Sequence, residues 1–335
     1  MGRASLVILT LLLAQAAMLG SNVPLQAAFA LQLQERVQLG SKLLHPSDVV
    51  IPAPWLHIPL GLSEAAEKAS TASACELPRP SEGDWVVTNT TVLVNESIVV
   101  NGSLLIYGTL VLVNSCLYVN SSQPCENVIH VFSGGNFTLY GSVVDAWNAE
   151  LPYYIVLDQG SSFYAFESEL KHAGCGKSPF VVQGIQVFSN SAAAERCIFE
   201  ELSSIYVYEE GSFAAVDCLF SGCEIAVRAA SAENVTLVNC AMVNNAYAFQ
   251  SSSCEVVQLL NCSLAENRFI AFFDVLSERV QLLNCSFSEN YMGAYVYSTS
   301  DLRIANCSFA NDTLWIYGDL ECVSRYAVER CTVNG

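Results

Sequence analysis

The chain has 335 residues with 14 basic and 32 acidic side chains, which gives a formal net charge of −18 at pH 7. Charged residues make up only 14% of the sequence and hydrophobic residues 52%, whereas an average soluble domain has about 25% charged residues. This balance excludes a nucleic-acid-binding protein, which needs a basic face that neutralises phosphates. The many β-branched and aromatic residues also exclude a disordered chain.

The first thirty residues have the pattern of an export signal. Arg3 supplies the positive charge, Leu6–Leu13 form the apolar stretch, and Ala28-Phe29-Ala30 matches a small-x-small cleavage site. The strongly apolar part is shorter than the ~20 residues of a membrane span. We therefore expect a signal peptide over 1–30 and a secreted or cell-surface protein, with an uncleaved membrane anchor as the alternative.

Ten Asn-x-Ser/Thr sequons agree with export. They lie at Asn89, Asn95, Asn101, Asn120, Asn136, Asn234, Asn261, Asn284, Asn306 and Asn311. Some of them are expected by chance, because the chain is rich in Asn, Ser and Thr. We expect Asn89, Asn95, Asn101 and Asn311 to be the better glycan acceptors, since they fall nearest to chain bends.

Residues 31–84 do not share the pattern of the rest of the chain. Pro52, Pro54 and Pro59 favour extended backbone, and Ser63–Ala74 is compatible with one short helix that has Ser63 as its N-cap. We expect this irregular N-terminal segment to cap the domain over 85–335, because stacked strands expose unpaired backbone at their ends.

From about residue 85 onward the sequence repeats with a period of about 22 residues. A Cys recurs at positions 197, 218, 240, 262, 285, 307 and 331, and Ser168, Ser142 and Cys116 continue this column backwards to ten rungs. Around it, VTLVNCAM at 235–242 aligns with VQLLNCSL at 257–264, VQLLNCSF at 280–287 and LRIANCSF at 302–309. A second column of apolar pairs runs from Ile129-x-Val131 through Ala246-x-Ala248 to Leu314-x-Ile316. This period-two alternation indicates three short strands per repeat, each with one buried face.

With Asn-Cys-x-Phe/Leu following Val-x-Leu on this period, the sequence resembles the right-handed parallel β-helix proteins of pectin-lyase-like fold, over roughly 85–335. The resemblance implies an all-β solenoid of about ten three-strand coils stacked about 4.8 Å apart. It says little about activity, because the fold hosts many functions. A leucine-rich repeat has a similar consensus. It is disfavoured because Ala232, Cys254, Ser277 and Thr299 replace an expected leucine, and because strand formers stand where helices would lie.

The cysteines divide into two groups. We expect the eight Cys of the repeating column to be free, buried thiols that point inward, since a disulfide torsion fits poorly between in-register parallel strands. Better disulfide candidates are the six off-column residues Cys75, Cys125, Cys175, Cys223, Cys254 and Cys322. Because there is no C-x-x-C pair and the four His are scattered, we expect no metal and no cofactor.

Two columns of Asn are expected to form structural ladders, since Asn tolerates left-handed turns and its amide can bond to the next rung. The first column is Asn239, Asn261, Asn284 and Asn306, and the second is Asn245, Asn267 and Asn290. The sequons at Asn261, Asn284 and Asn306 would then be poor glycan acceptors.

The neighbours of the inward apolar pairs are unusually aromatic and predict an outward stripe along one sheet. They are Phe132, Tyr154, Phe188, Tyr206, Tyr208, Tyr247, Phe249, Phe273, Tyr295, Tyr297, Trp315 and Tyr317. Flat rings suit sugar rings, and Tyr and Trp suit protein interfaces. We expect the ligand-binding residues among Tyr206, Tyr208, Tyr247, Phe249, Tyr295, Tyr297, Trp315 and Tyr317. Packing of the stripe against other segments of the chain is the alternative.

Evidence for catalysis is weak. The hydrolases of the β-helix fold share paired Asp residues with a His and an Arg-x-Lys element, and this sequence has neither the Asp pair nor Arg-x-Lys. The longest repeat carries an insertion with Lys171 and His172, which the register places one rung from Glu200 and Glu201. His172 with Glu201 is a candidate acid/base pair. The alternative is a solvated ion-pair cluster worth under ~1 kcal/mol per pair.

We therefore expect an exported, non-catalytic β-solenoid whose rigid aromatic face binds a polysaccharide or a surface protein. The alternatives are a carbohydrate-active enzyme, either a polysaccharide lyase or a glycoside hydrolase, and an assembly subunit that forms homo-oligomers by stacking its ends.

Overall fold

The chain forms a parallel β-solenoid in the computed structural model, which describes residues 83–175, 184–317 and 325–334. The described residues contain three parallel sheets of eleven strands each and no helix. The chain passes through sheets A, B and C in turn, so one circuit is one coil, and each strand pairs with its equivalent in the next coil. The predicted all-β solenoid of three-strand coils is confirmed, with eleven coils instead of about ten.

Sheet A consists of β1 (Trp85–Val87), β4 (Leu104–Ile106), β7 (Val128–Val131), β10 (Tyr154–Leu157), β13 (Ile185–Val187), β16 (Ser204–Val207), β19 (Ile225–Ala230), β22 (Tyr247–Ser252), β25 (Ile270–Val275), β28 (Met292–Tyr297) and β31 (Leu314–Tyr317). Sheet B consists of β2 (Thr90–Val94), β5 (Thr109–Val113), β8 (Asn136–Tyr140), β11 (Ser162–Phe166), β14 (Ala192–Glu195), β17 (Ser212–Val216), β20 (Asn234–Val238), β23 (Val256–Leu260), β26 (Arg279–Leu283), β29 (Asp301–Ala305) and β32 (Arg325–Glu329). Sheet C consists of β3 (Ser97–Val100), β6 (Cys116–Val119), β9 (Val143–Ala146), β12 (Glu169–Lys171), β15 (Ile198–Glu200), β18 (Leu219–Ser221), β21 (Ala241–Val243), β24 (Ser263–Ala265), β27 (Ser286–Ser288), β30 (Ser308–Ala310) and β33 (Thr332–Asn334).

The core is a continuous column of apolar side chains from alternate positions of all three sheets. Equivalent residues of successive coils stack on one another, as Phe199 does on Phe220 and Phe287 on Phe309, with ring centroids 4.9 and 4.5 Å apart. Each fully buried Phe or Leu contributes about 1.5–3 kcal/mol. Because no single coil can enclose such a column, the stack as a whole makes the core.

Both Asn ladders are present, and they differ in their exposure. Asn239, Asn261, Asn284 and Asn306 have φ between 54° and 57° and face solvent at the turn from sheet B to sheet C. Each Nδ2 of the last three donates to the Oδ1 of the preceding rung at 3.0–3.2 Å. The second ladder, Asn245, Asn267 and Asn290, is buried inside the turn from sheet C to sheet A.

The repeating Cys column points inward as predicted, with one error at its beginning. Cys197, Cys218, Cys240, Cys262, Cys285 and Cys307 are buried and free, whereas Cys331 is half-buried and free. Cys116 instead pairs with Val143 on the outer face of sheet C and is only half-buried. The residue of the column in that coil is Ser115, whose backbone N–H donates to the Ser142 hydroxyl at 3.1 Å. The assignment of Cys116 was therefore one residue off, and such a slip turns a strand residue to the opposite face.

The eleventh coil is the first one, β1 to β3. Glu96 occupies the column position there and donates its backbone N–H to the Ser115 hydroxyl at 3.1 Å. A Glu breaks the Cys/Ser pattern, so the sequence period did not reveal this coil.

Disulfide bonding follows the prediction only in part. Cys125 and Cys175, both off-column, form a disulfide. Cys223 and Cys254, expected as disulfide partners, are free and buried, so that expectation was wrong. Their backbone N–H groups donate to Asn245 and Ser277 of the next coil, which shows that both belong to interior turn columns. Burial raises the pKa of Cys223 to about 12 and that of Cys254 to about 11.

Cys75 and Cys322 lie outside the described residues, as do the predicted signal peptide, the helix over Ser63–Ala74 and nearly all of the predicted cap. The domain boundaries at 30 and 84 stay predictions.

Three long connections from sheet C to sheet A distinguish one end of the solenoid. They are 120–127 after β6, 147–153 after β9 and 172–184 after β12. In the other coils this turn has three or four residues, for example 201–203. The parts of these connections that the structure describes lie in consecutive coils and are joined by hydrogen bonds, and their length accounts for the longer repeats in this part of the sequence.

Candidate functional site

The outer face of sheet A carries the predicted aromatic stripe. The register aligns Tyr206 with Arg228, Phe273 with Tyr295, and Tyr295 with Trp315 in one outward column. The neighbouring column contains Tyr107, Phe132, Phe188, Tyr208, Tyr297 and Tyr317. We call the outward rings of Tyr206, Tyr208, Phe188, Tyr295, Tyr297, Trp315 and Tyr317, all of them at least partly exposed at the surface, the aromatic face, whereas Phe273 lies in the same column but is only 4% exposed.

Most of these rings stack along the solenoid axis. The centroid distances are 4.5 Å for Phe188 and Tyr208, 5.3 Å for Phe273 and Tyr295, and 5.1 Å for Tyr297 and Tyr317, with planes within 11° of parallel. These distances match the spacing of about 4.8 Å between strands. The flat sides of the rings therefore face their neighbours, and the ring edges point to solvent.

Two of the expected ligand-binding residues are not exposed, because strand β19 contains a bulge. Ile205 pairs with Val227 and Ser204 with Ile225, so Ala226 is an extra residue. An extra residue reverses the alternation in the strand, and the following coils keep the shift.

As a result, Phe249 pairs with Val227 and Phe272 and lies in the core at 0% exposure. Its assignment to the outward stripe was wrong. Tyr247 stays on the outside, yet it is only 7% exposed. It packs in a second, outer cluster with Ile225, Ile270 and Phe273.

The aromatic face is nearly free of charge. Among the described residues, its two outward columns carry only His130, Asp158 and Arg228 as ionisable groups other than tyrosines. His130 Nε2 lies 2.9 Å from Asp158 Oδ1, and the Arg228 guanidinium lies over the Tyr206 ring at 5.0 Å. Among the acidic residues that the structure describes, Asp158 is the one that lies in these two columns.

The structure brings together the four residues of the predicted acid/base cluster on the outer face of sheet C. Lys171 pairs with Glu200 in the register, and its Nζ lies 3.2 Å from Glu200 Oε2. His172 Nε2 lies 3.2 Å from Glu201 Oε2. Their predicted proximity is confirmed, and their catalytic role stays a prediction.

Sequence reasoning missed Asp145 and Trp147 and placed Glu169 in the same region without a partner. Asp145 Oδ1 lies 2.7 Å from His172 Nδ1, and Glu169 Oε2 lies 2.8 Å from Lys171 Nζ. Trp147, two residues beyond Asp145, is 58% exposed. An alignment of the long repeats could have identified these residues, because Asp145 and Lys171 occupy equivalent positions one coil apart.

The His172 ring has a carboxylate at each nitrogen, which limits its chemistry. Asp145 and Glu201 occupy the positions from which a substrate proton would be taken or given. The left-handed backbone of His172, with φ 51°, is a feature of this turn column, because Glu201, Gly222 and Asn244 share it. It is therefore no sign of a strained active site.

The lysine of the cluster holds two carboxylates. The hydrogen bond to Glu169, followed by that to Glu200, raises the pKa of Lys171. It stays protonated at neutral pH and offsets part of the negative charge around it.

The four expected glycan acceptors, Asn89, Asn95, Asn101 and Asn311, are all exposed. Asn311 donates its Nδ2 to Glu289 at 2.7 Å, and Asn101 accepts a hydrogen bond from Asn120 at 2.9 Å. Their occupancy by glycans stays a prediction. In the described part of the chain, no group of three or more His, Cys, Asp or Glu side chains is arranged to hold a metal ion. The described residues also contain no helix that is long and apolar enough to cross a membrane.

A family of known proteins matches this architecture. The family described as right-handed beta helix region matches residues 155–334. The match covers more than half of the chain, and the chain belongs to this family. No curated protein matches the chain.

Proposed function

We propose that the chain is an exported, non-catalytic β-solenoid that binds protein through the aromatic face of sheet A, with a second copy of the chain as its partner. The observation that carries the proposal is a long aromatic surface with almost no charge on a chain of net charge −18. Soluble monomers rarely leave such an area exposed without use.

The ring geometry favours protein over polysaccharide as the partner. A sugar packs its apolar side on the flat side of an aromatic ring, and here a stacked neighbour covers one flat side of Phe188, Tyr208, Tyr295, Tyr297 and Tyr317. The ring edges and phenol oxygens that face outward instead resemble a tyrosine-rich protein interface, where apolar area and hydrogen-bonding groups alternate.

Charge favours a second copy of the same chain. Two molecules of net charge −18 repel each other over most of their surfaces. The aromatic face is where they can meet with the least repulsion, because its ionisable groups are few and of both signs. A two-fold axis through the face would bring identical columns together, which is the commonest symmetry of soluble dimers.

The dimensions of the face indicate a weak dimer. The aromatic face extends over seven strands, from β13 to β31, which at about 4.8 Å per strand makes it about 30 Å long, and a width of 10–15 Å gives roughly 300–450 Å² per copy. A standard interface buries about 800 Å² per partner. We therefore expect dissociation constants of the order of micromolar.

Export is supported by three features. They are the signal-like N-terminus, the Cys125–Cys175 disulfide, which suits an oxidising compartment, and the exposed sequons. No sequon lies within a strand of sheet A, so attached glycans would leave the aromatic face open.

The test is sedimentation equilibrium of the purified chain from 1 to 200 µM, with Tyr208→Ser and Tyr297→Ser as variants. Tyr140→Ser is the matched control, because Tyr140 lies half-exposed on the outer side of sheet B. We expect wild type and the control to dimerise, and each variant to weaken the dimer at least tenfold. Because salt screens the repulsion, association should strengthen between 50 and 500 mM NaCl.

A strictly monomeric wild type at 200 µM would contradict the proposal. Polysaccharide gels supply the second arm. Retardation that Tyr208→Ser and Tyr297→Ser abolish, with no dimer present, would assign the face to a glycan instead.

A further inference from the structure

An aromatic corner lies on the outer face of sheet C, away from the aromatic face of sheet A. The rings of Tyr118 and Trp147 meet edge to face, with centroids 5.7 Å apart and planes at 82°. Trp147 is one of the most exposed large side chains among the described residues, at 58%. Two rings at a right angle form two walls of a cage, and the exposure of Trp147 leaves ring surface open to a ligand.

Carboxylates surround this corner. Tyr118 pairs in the register with Asp145, and the next two positions of the column are Lys171 and Glu200. Burial, followed by the Cys116 thiol and the Asp145 carboxylate, raises the pKa of Tyr118, as expected for a phenol beside negative charge.

The cluster has an excess of negative charge. Its carboxylates are Asp145, Glu169, Glu200 and Glu201, and Lys171 is its one ammonium group. Four carboxylates therefore lie beside one ammonium group and the His172 ring, so acidic groups outnumber basic ones. The whole chain adds to this field, since its net charge is −18.

The long connections hold the corner in place. The disulfide between Cys125 and Cys175 joins the connections of two coils that flank the one bearing Trp147. The middle connection is also fixed by backbone hydrogen bonds from Cys125 to Pro152 and from Gly174 to Tyr153, both 2.6 Å long. The corner is therefore built before a ligand arrives, which lowers the entropy lost on binding.

We propose that this corner binds an organic cation of the alkylammonium class, with the cation against Trp147 and Tyr118 and its charge balanced by Asp145 and the neighbouring glutamates. Aromatic ring faces attract cations through their quadrupole, and Trp does so most strongly. Nearby carboxylates add a favourable field for the same ligand. An anion is repelled here, and a neutral ligand gains nothing from the charge.

The geometry also predicts that Lys171 weakens the binding of a cation. Its ammonium group lies in the same column as Asp145 and neutralises part of the field through Glu169 and Glu200. Removing this charge should therefore improve cation binding, an effect opposite in sign to that of a general loss of structure.

The test is a titration by ligand-observed NMR of the full chain, with choline as the probe and 3,3-dimethylbutan-1-ol as its neutral counterpart of the same shape. We expect choline to bind at least tenfold more tightly than the alcohol and to weaken as salt is added. Trp147→Ala should reduce choline affinity at least tenfold and Trp147→Phe about threefold. Lys171→Gln should increase it about threefold. The control Tyr291→Ala, which removes an exposed ring in the turn after β27, should leave it unchanged.

A tetralysine peptide identifies the source of the ammonium group. If the peptide binds much more tightly than choline, the ligand is a basic protein segment. If it binds equally tightly per ammonium group, the ligand is a small amine. Both results agree with a cation site. Equal binding of choline and the neutral alcohol would overturn the proposal. So would a Lys171→Gln variant that binds choline more weakly than wild type. Neither result bears on the proposed dimer, because its interface lies on sheet A and the cation site lies on sheet C.

Discussion

The buried Asn ladder gives the sharpest prediction about stability. Asn267 is 1% exposed, and its side chain makes four hydrogen bonds. Its Nδ2 donates to Met242 O at 3.1 Å and to Asn290 Oδ1 at 2.8 Å. Its Oδ1 accepts from the backbone N–H and from the Nδ2 of Asn245, both at 3.1 Å.

Asn267→Ala should lower the free energy of unfolding by about 3–5 kcal/mol. The change removes one buried amide with four hydrogen bonds. Asn290 Oδ1 and Asn245 Nδ2 keep a second bond, but the Asn245 backbone N–H loses the side-chain acceptor that it has in wild type, and an unsatisfied buried group costs about 1–3 kcal/mol. The measurement is urea unfolding followed by circular dichroism, with the variant and wild type compared at their midpoints.

Asn239→Ala is the matched control. Asn239 belongs to the exposed ladder, lies outside any sequon, and bonds to Asp217 and Asn261 at 3.0 and 3.2 Å. Water can replace these bonds, so the expected loss is about 1 kcal/mol, mainly from placing Ala in a left-handed turn. Equal losses of unfolding free energy in the two variants would refute the reasoning that burial determines how much each ladder contributes to stability.

Three further predictions follow from buried groups. Burial raises the pKa of Asp274, which accepts hydrogen bonds from Ser251, Ser277 and Thr299. The native state therefore binds this proton more tightly than the unfolded chain, so its contribution to stability is highest below the ordinary Asp pKa and falls as pH rises through the folded value. Urea midpoints measured from pH 3 to pH 8 should show this decline in wild type and less of it in Asp274→Asn. Phe249→Ala should lower the free energy of unfolding by about 3–5 kcal/mol and Tyr206→Ala by much less, as measured in urea; the reverse order would contradict the inward position of Phe249. Iodoacetamide followed by mass spectrometry should label Cys254 only after denaturation, because burial keeps this thiol protonated and inaccessible, and labelling of the native protein would contradict its place in the core.

Most of the fold could be predicted because the period is visible in the sequence. The Val-x-Leu-x-x-Cys pattern or a close variant of it recurs where sheet B turns into sheet C in the later coils, so the inward column and the Asn ladders there followed from residue types alone. Errors arose where a residue type does not identify its face. Cys116 and Ser115 are both small and adjacent, and only the register shows which of them points inward.

The candidate sites were harder to predict, for two physical reasons. A single extra residue, Ala226, reverses the alternation of inward and outward side chains in β19. The sequence around it contains no pattern that predicts a bulge. The cluster on sheet C depends on contacts across coils of unequal length. The sequence predicted that Lys171 and His172 meet Glu200 and Glu201 by counting residues, but the equivalence of Asp145 and Tyr118 needs the paired strands.

The central claim is that the aromatic face of sheet A is a protein interface between two copies of the chain. Hydroxyl-radical footprinting of the chain at 2 and 200 µM tests it residue by residue. The account predicts that Tyr206, Tyr208 and Tyr297 lose reactivity at the higher concentration, while the exposed Tyr291 and the sheet B residue Tyr140 do not change. Equal reactivity of the sheet A tyrosines at both concentrations, or protection confined to sheets B and C, would contradict it.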